Sequence, residues 1–391
     1  MIRALDQMDV AGKKLLVRVD FNVPLKDGKI TDDNRIRASL PTIEYGLKNG
    51  AALILCSHLG KPKTGPDPKL SLAPCAARLS ELIGRPVRMA PAVVGPEVEK
   101  LAAALKPGEI LMLENLRFEA GETKGDEALG RALAALGDIY VGDAFGTAHR
   151  AHASIVAAAR AAKARCAGML LIKEWQYLGE KLADPARPFA AISGGAKVSS
   201  KLGILNNLLD KVDILVVVGA MANTFLLAQG RGVGTSLAEP ELVEEAKKVM
   251  AAAKTKNVNL VLPVDFVLGS SLEGGAEGVV AADAIPGDKM VLDVGPRSLE
   301  AFAAALAPAK TVVWNGPAGA FENPAFAAGS VGLAKVVAGL DAVTIAGGGD
   351  TGAQLAAAGM ADKVSFISTG GGAFLELLEG KDMPGFTALK D

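Results

Sequence analysis

The sequence predicts an α/β protein of two doubly wound parallel-sheet lobes joined by a helical hinge, on three observations. At 391 residues the chain exceeds one ordinary core, so two domains of about 200 residues each are expected. Short apolar, β-branched runs alternate with Ala/Leu/Glu/Lys stretches, the pattern of parallel strands linked by helices. Residue types are also segregated. Of 15 arginines, 13 precede residue 190, as do all three histidines (His58, His149, His152). The glycine clusters Gly194-Gly195, Gly347-Gly348-Gly349 and Gly370-Gly371-Gly372 all follow it. Guanidinium forks suit a compact carboxylate or phosphate. Glycine turns that open helices let backbone N–H groups approach other phosphates. Two lobes holding two different anions fit a two-substrate phosphoryl transfer.

In chain order, strands are expected at Leu15–Val19, Ala52–Ser57, Ile110–Leu113 and Ile139–Val141. They run into Asp20-Phe21-Asn22, His58-Leu59-Gly60, Glu114-Asn115-Leu116-Arg117 and Gly142-Asp143. Residues 168–185 follow as a helix whose apolar stripe (Met169, Leu170, Ile172, Trp175, Leu178, Leu182) is interleaved with charge and closed by Asp184-Pro185. Fifteen helical residues span roughly 22 Å, enough to bridge two lobes, although a surface helix within one lobe fits the pattern equally. Second-lobe strands are expected at Phe189–Ile192, Ile214–Val218, Asn259–Leu262, Thr311–Trp314, Val343–Ile345 and Val364–Ile367. Each lobe is thus Rossmann-like in layout, with domains expected at residues 1–170 and 171–371. Ligands of open α/β sheets bind beyond the carboxyl ends of strands, so the loops named are the candidate site loops.

Composition narrows the function class. A net charge of −1 and a pI near 6.4 give no general pull toward nucleic acid or anionic membrane. Aromatics at 4% argue against stacking platforms for single strands. The longest apolar runs, such as Ile214–Val218, are strand-sized, and charges within the first 20 residues argue against a signal peptide. Cys56, Cys75 and Cys166 are odd in number and not spaced as metal ligands, which reads as reduced thiols in a cytoplasmic protein.

The loops carry the chemistry. Ser193-Gly194-Gly195-Ala196-Lys197-Val198-Ser199-Ser200-Lys201 follows a strand and is expected to open a helix, making an anion site of its amides. Four residues apart, Lys197 and Lys201 would share a helical face, turned to phosphate or simply solvated. The segment fits neither G-x-x-x-x-G-K-[ST] nor G-x-G-x-x-G. Asp350, after Gly348-Gly349 and before Thr351, is either a Mg²⁺ ligand or a helix N-cap. Gly371 and Gly372 offer helix-start amides to a migrating phosphoryl group. Asn315 and Glu322 frame the Trp314-Asn315-Gly316-Pro317 loop, with Glu322 either on a ribose or in solvent. In the first half, Arg18 lies inside a strand and reads as structural. A lone arginine is usually a surface ion-pair partner. Arg35, Arg117 and Arg150 beside loops that also offer Asp20, Asn22 and His58 are better explained by a small phosphorylated acid.

Together these residues resemble the phosphoglycerate kinase family over essentially the whole chain. The resemblance rests on Val17-Arg18-Val19-Asp20-Phe21-Asn22-Val23-Pro24, Ser57-His58-Leu59-Gly60, Leu113-Glu114-Asn115-Leu116-Arg117-Phe118 and Asp143-Ala144-Phe145-Gly146-Thr147-Ala148-His149-Arg150. It continues through Gly194-Gly195-Ala196-Lys197-Val198, Trp314-Asn315-Gly316-Pro317, Gly347–Asp350 and Thr369–Ala373. It implies reversible, Mg²⁺-dependent phosphoryl transfer between 1,3-bisphosphoglycerate and ADP, giving 3-phosphoglycerate and ATP, in a cytoplasmic monomer. The triose would meet Asp20, Asn22, Arg35, His58, Gly60, Lys61, Arg117 and Arg150 in the N-terminal lobe. The nucleotide would meet Lys197, Lys201, Asn315, Glu322, Gly348, Gly349, Asp350 and Thr351 in the C-terminal lobe, with Mg²⁺ on Asp350. Catalysis would fall to Arg35, Lys197, Gly371 and Gly372. The resemblance also implies a C-terminal tail, about 372–391, that crosses back to the first lobe through Met383-Pro384-Gly385. Lys61, Gly142, Ser200, Ala220, Thr351 and Phe374 depart from the residues common in the family (Arg, Asn, Asp, Gly, Ser and Ser). Lys61 keeps the charge but loses the fork.

A 3-phosphoglycerate carboxylate is ionised at neutral pH and needs no general base, which fits a chain without a nucleophile–His–acid arrangement. The difficulty is electrostatic. Two unit charges 4 Å apart repel by about 4 kcal/mol at an effective dielectric near 20. Anions held in separate lobes imply closure about a hinge. A dinucleotide-dependent dehydrogenase would show G-x-G-x-x-G and a ribose-binding acid, neither of which follows the early strands. A non-catalytic relative of the same fold is opposed by intact Arg35, Lys197 and Asp350.

Overall fold

The computed structural model describes residues 2–63 and 65–390. Its contacts divide the chain into two units, one running to Gln176 and resuming at Asp382, the other Tyr177–Lys381. In the first unit six parallel strands lie in the order Val87–Met89, Ile110–Met112, Ala52–Cys56, Lys14–Val19, Ile139–Asp143, Arg165–Ala167. In the second the order is Asn259–Val261, Ile214–Val217, Phe189–Ser193, Thr311–Asn315, Val343–Gly347, Phe366–Ser368, again all parallel. The first strand of each unit sits inside its sheet and later strands add on both sides, so both sheets are doubly wound. Each therefore has one switch point, beside Lys14–Val19 and Ile139–Asp143 in one unit and beside Phe189–Ser193 and Thr311–Asn315 in the other. The central strands are buried along their whole length, which is why they read as unbroken apolar runs.

All ten expected strands are present, with ends shifted by a residue or two. Two three-residue strands, Val87–Met89 and Arg165–Ala167, carry an arginine each and made no apolar run. The second unit also holds an antiparallel sheet, Val279–Ala281, Asp265–Gly269 and Met290–Val294, absent from the expectation. Its edge strand is only three residues long and partly exposed, so its short apolar run did not stand out.

The helix expected over 168–185 is an α-helix at Met169–Glu174 continued by a π-helical segment at Trp175–Lys181, and the division between units falls inside it. Its start is fixed by Asp143, whose Oδ1 accepts the N–H groups of Leu170 at 3.0 Å and Leu171 at 3.2 Å. Gly168 must be glycine for this approach, because a Cβ there would lie 2.3 Å from Asp143 Oδ1. The division differs from the expected 170 and 371. Residues 372–381 stay with the second unit, where the helix Gly371–Leu378 is held as Asn207 Nδ2 donates to the Leu378 carbonyl. Residues from Asp382 onward belong to the first unit: Gly385 N–H donates to Ala148 O at 2.8 Å, and the Phe386 ring lies 4.7 Å from Trp175. The three cysteines are buried and free, and burial pushes their thiols up to about 12, so they act as small core residues. Among the described residues no helix is long and apolar enough to cross a membrane.

Candidate active site

The strand order of the first unit brings its candidate residues together. Asp20, His58, the Leu116–Phe118 turn bearing Arg117, and the loop leading to Arg150 all follow neighbouring parallel strands, at one edge of the sheet. Arg35 Nη1 donates to Asp20 Oδ2 at 3.0 Å, and Asp20 Oδ1 accepts Asn22 N–H at 3.3 Å. Asn22 Oδ1 in turn accepts Gly60 N–H at 2.8 Å, while the Gly60 carbonyl accepts from Arg117 Nη1. Asn115, wholly buried, ties the Leu59 loop to the Arg117 turn by accepting from both backbones and donating to the Leu59 carbonyl. Lys61, Arg117 and Arg150 line a cleft of about 560 Å³. Arg117 Nε is buried there without a hydrogen-bond partner, and burial together with the Arg150 and Arg18 cations lowers its pKa. Cations thus outnumber carboxylates around Asp20.

Behind this cradle Ser154 and Glu122 escaped the sequence reading, which took Arg18 only as structural. Arg18 is buried and donates through Nε to Ser154 Oγ at 2.9 Å, and Ser154 Oγ donates to the buried Glu122 at 2.6 Å. Arg18 also lies 3.3 Å from His58 Nδ1. A charge inside an apolar strand was the available signal, since burial demands a partner.

In the second unit the loop after Phe189–Ser193 corrects one expectation. Residues 194–201 form no helix; the helix begins at Leu202, with Lys201 as its N-cap residue. Lys197 and Lys201 therefore do not share a helical face. Glu239 holds the loop open by accepting Ser199 N–H at 3.0 Å and the Ser199 hydroxyl. The Gly194 and Gly195 amides are likewise committed, to the carbonyls of Asn315 at 2.8 Å and Pro317 at 3.1 Å, so they make no anion site. Gly316, at φ +96°, packs so closely that a Cβ would sit 2.1 Å from Gly194 O. Here the glycines serve loop-to-loop packing.

Free amides lie elsewhere. The helices Gly349–Ala357 and Gly371–Leu378 start beside each other, a Cβ on Gly371 lying 3.6 Å from Gly348 Cα. First-turn amides have no partner within a helix, so the two starts concentrate positive potential. The N-cap of the first is Gly348, not Asp350, which lies exposed in the opening turn. Asp350 faces Lys201 electrostatically. Burial, the larger effect, lowers that lysine to about 8, and Asp350 partly opposes it. Asn315 Nδ2 donates to Gly347 O at 2.7 Å, and the buried Thr351 hydroxyl accepts Gly316 N–H at 2.8 Å, so both brace the loops. Lys197 and Glu322 are exposed. The ring of Phe374 covers Gly347, where a Cβ would meet it at 2.3 Å.

The sequence reading also missed an apolar cavity of about 200 Å³ behind these loops, lined by Leu237, Phe266, Met290, Leu292 and Pro317 with Gly195 and Gly219. Gly219-Ala220, one residue past the strand Ile214–Val217, was its only local sign.

A family model described as phosphoglycerate kinase matches residues 5–381. This chain belongs to the phosphoglycerate kinase family. Curated phosphoglycerate kinases of Maridesulfovibrio salexigens and Desulfosudis oleivorans are 56% and 54% identical to it, covering 100% of this chain and 100% and 99% of their own. The solved phosphoglycerate kinase of Coxiella burnetii superposes with a TM-score of 0.90 at 42% identity, over 100% of this chain and 99% of its own. That of Pyrococcus horikoshii gives 0.86 at 31% identity, over 100% and 98%.

Proposed function

We propose that the basic cradle of the first unit holds 3-phosphoglycerate and that the paired helix starts of the second hold the phosphates of ATP or ADP. As a member of the family the chain is a phosphotransferase with a carboxyl acceptor, acting reversibly between 1,3-bisphosphoglycerate and ADP with Mg²⁺. The observation that carries the residue-level reading is the excess of cations around Asp20, with Arg117 Nε buried and unpartnered.

On this reading Arg35, Arg117, Arg150 and Lys61 neutralise the triose, with Asn22 and Gly60 fixing the loop that receives it. Lys197, Lys201 and the amides of Gly348, Gly349, Gly371 and Gly372 surround the nucleotide phosphates, Glu322 meets the ribose, and the apolar cavity takes the base. Asp350 suits Mg²⁺, which favours one or two carboxylates plus substrate phosphates. No group of three or more His, Cys, Asp or Glu among the described residues forms a metal cage, so a single carboxylate beside nucleotide oxygens is the fitting arrangement. When bound, the ion offsets phosphate charge. The acceptor carboxylate is already ionised, so the protein's task is to hold two anions in line and stabilise the migrating group through Arg35, Lys197 and the Gly371 and Gly372 amides. Closure of the units on their substrates would exclude water. Monomeric, cytoplasmic operation without nucleic acid completes the proposal.

A coupled assay with ATP and 3-phosphoglycerate tests it. Wild-type protein turns over, whereas Arg35→Ala loses about 10²–10³-fold in kcat while nucleotide binding is retained. Near-normal turnover in that variant would remove Arg35 from catalysis.

A further inference from the structure

The buried group behind the cradle forms one continuous chain: Glu122 accepts from Ser154, Ser154 accepts from Arg18, and Arg18 reaches His58. Glu122 is fully buried and takes Ser154 Oγ on Oε1 at 2.6 Å and Ser154 N–H on Oε2 at 2.9 Å. Arg18, 1% exposed, gives Nε to Ser154 Oγ at 2.9 Å, Nη1 to the Val19 carbonyl, and Nη2 toward His58 Nδ1 at 3.3 Å. A guanidinium has five donors and no acceptor, so Nδ1 can meet it only as a bare lone pair. In the neutral ring the proton then resides on Nε2.

Protonating Nδ1 would break that contact and set two cations against each other. Asp20 Oδ1, 4.0 Å from Nδ1, is too distant to hold such a proton by a hydrogen bond. Burial, the cations of Arg18, Arg117 and Arg35, and the nearby His152 all disfavour the charged ring. Glu122, 3.8 Å from His152 Nδ1, balances the arginine rather than the imidazole of His58.

We propose that Arg18, anchored by Ser154 and Glu122, is a positioning residue that fixes His58 as a neutral ring with its proton on Nε2. Nε2–H is then the one ring donor left for a ligand, and His58 recognises an oxygen of the triose by a hydrogen bond, not by charge. This last step rests on the triose reading of the cradle; the tautomer does not.

Nitrogen-15 NMR of the histidines in the whole protein tests both. With only three histidines, assignment needs His58→Gln alone. The expected wild-type spectrum has His58 Nδ1 as an unprotonated acceptor and Nε2 protonated, unchanged as the pH falls from 8 through the ordinary histidine range near 6.5. A proton on Nδ1, or a doubly protonated ring at pH 7, overturns the proposal without any variant. Arg18→Met removes the donor, and Ser154→Ala loosens it by deleting the hydroxyl between Arg18 and Glu122 while keeping both charges. Both should mix the two tautomers and move the titration of His58 to higher pH. The triose KM should rise by up to about tenfold in Arg18→Met and less in Ser154→Ala, with the nucleotide KM unmoved. An unaltered tautomer in Ser154→Ala and in whatever Arg18→Met protein folds also overturns the positioning role. A shifted tautomer with an unchanged triose KM keeps the positioning role and removes His58 from the triose site, so the two readings fail separately.

Discussion

At the scale of single residues, placement against solvent decides what the charged groups can do. Lys201 is 7% exposed, and burial brings it from its ordinary 10.5 down to about 8. Between those values the unfolded chain binds more protons than the folded one. Stability from this group therefore rises with pH while the cation proposed to meet a nucleotide phosphate disappears. ATP affinity should accordingly fall about fivefold from pH 8 to pH 9, as the charged fraction drops from about a half to about a tenth. Lys201→Arg stays charged throughout and should lose this alkaline limb, although its planar fork will shift the absolute affinity. Isothermal titration at both pH values reads the slope; a slope that survives in Lys201→Arg assigns it to another group. The Asp20, Asn22, His58 and Arg117 set was legible in the sequence because each residue follows a strand. Arg18 read only as structural, since its partner Ser154 lies 136 residues away and Glu122 lies a further loop removed.

Among elements, local pattern and distant capture compete. The parallel strands were legible because burial on both faces leaves an unmistakable apolar run. The segment 194–201 has helix-compatible residues and a helix-start glycine pair, yet Glu239 takes the Ser199 N–H and hydroxyl from 40 residues on, and the helix waits until Leu202. Asp143 shows the same long reach put to use, since it caps the Met169–Glu174 helix from a strand end. Its Oδ2 is buried without a partner, and burial pushes the carboxyl up to about 7. The folded state therefore binds more protons than the unfolded state between about pH 4 and 7. Its contribution is full below that window and is lost as pH rises through it, by at most about 4 kcal/mol. Asp143→Asn keeps an acceptor for Leu170 and Leu171 and cannot ionise. From pH 5 to pH 8 the urea midpoint of the wild type should fall relative to that variant. Parallel midpoints would show that Asp143 is not protonated in the fold.

Across the whole molecule, two sheets with separate switch points underlie the proposal of two separate ligand sites. Hydrogen exchange with one substrate at a time resolves them: 3-phosphoglycerate should slow exchange at residues 20–22, 58–60 and 115–118, and MgADP at 348–352 and 371–374. At 100 times Kd the nucleotide stabilises the state it binds by about 2.7 kcal/mol. Protection of both sets by either ligand alone would contradict separate sites. The first unit has a further property that its sheet alone would not suggest. Met383, Phe386 and Leu389 are buried in it, although residues 177–381 intervene in the chain. A ribosome making this protein releases most of that unit first but supplies its last buried side chains only after the other unit has emerged. Until that tail is made, the apolar surface that Met383, Phe386 and Leu389 cover in the first unit goes without them.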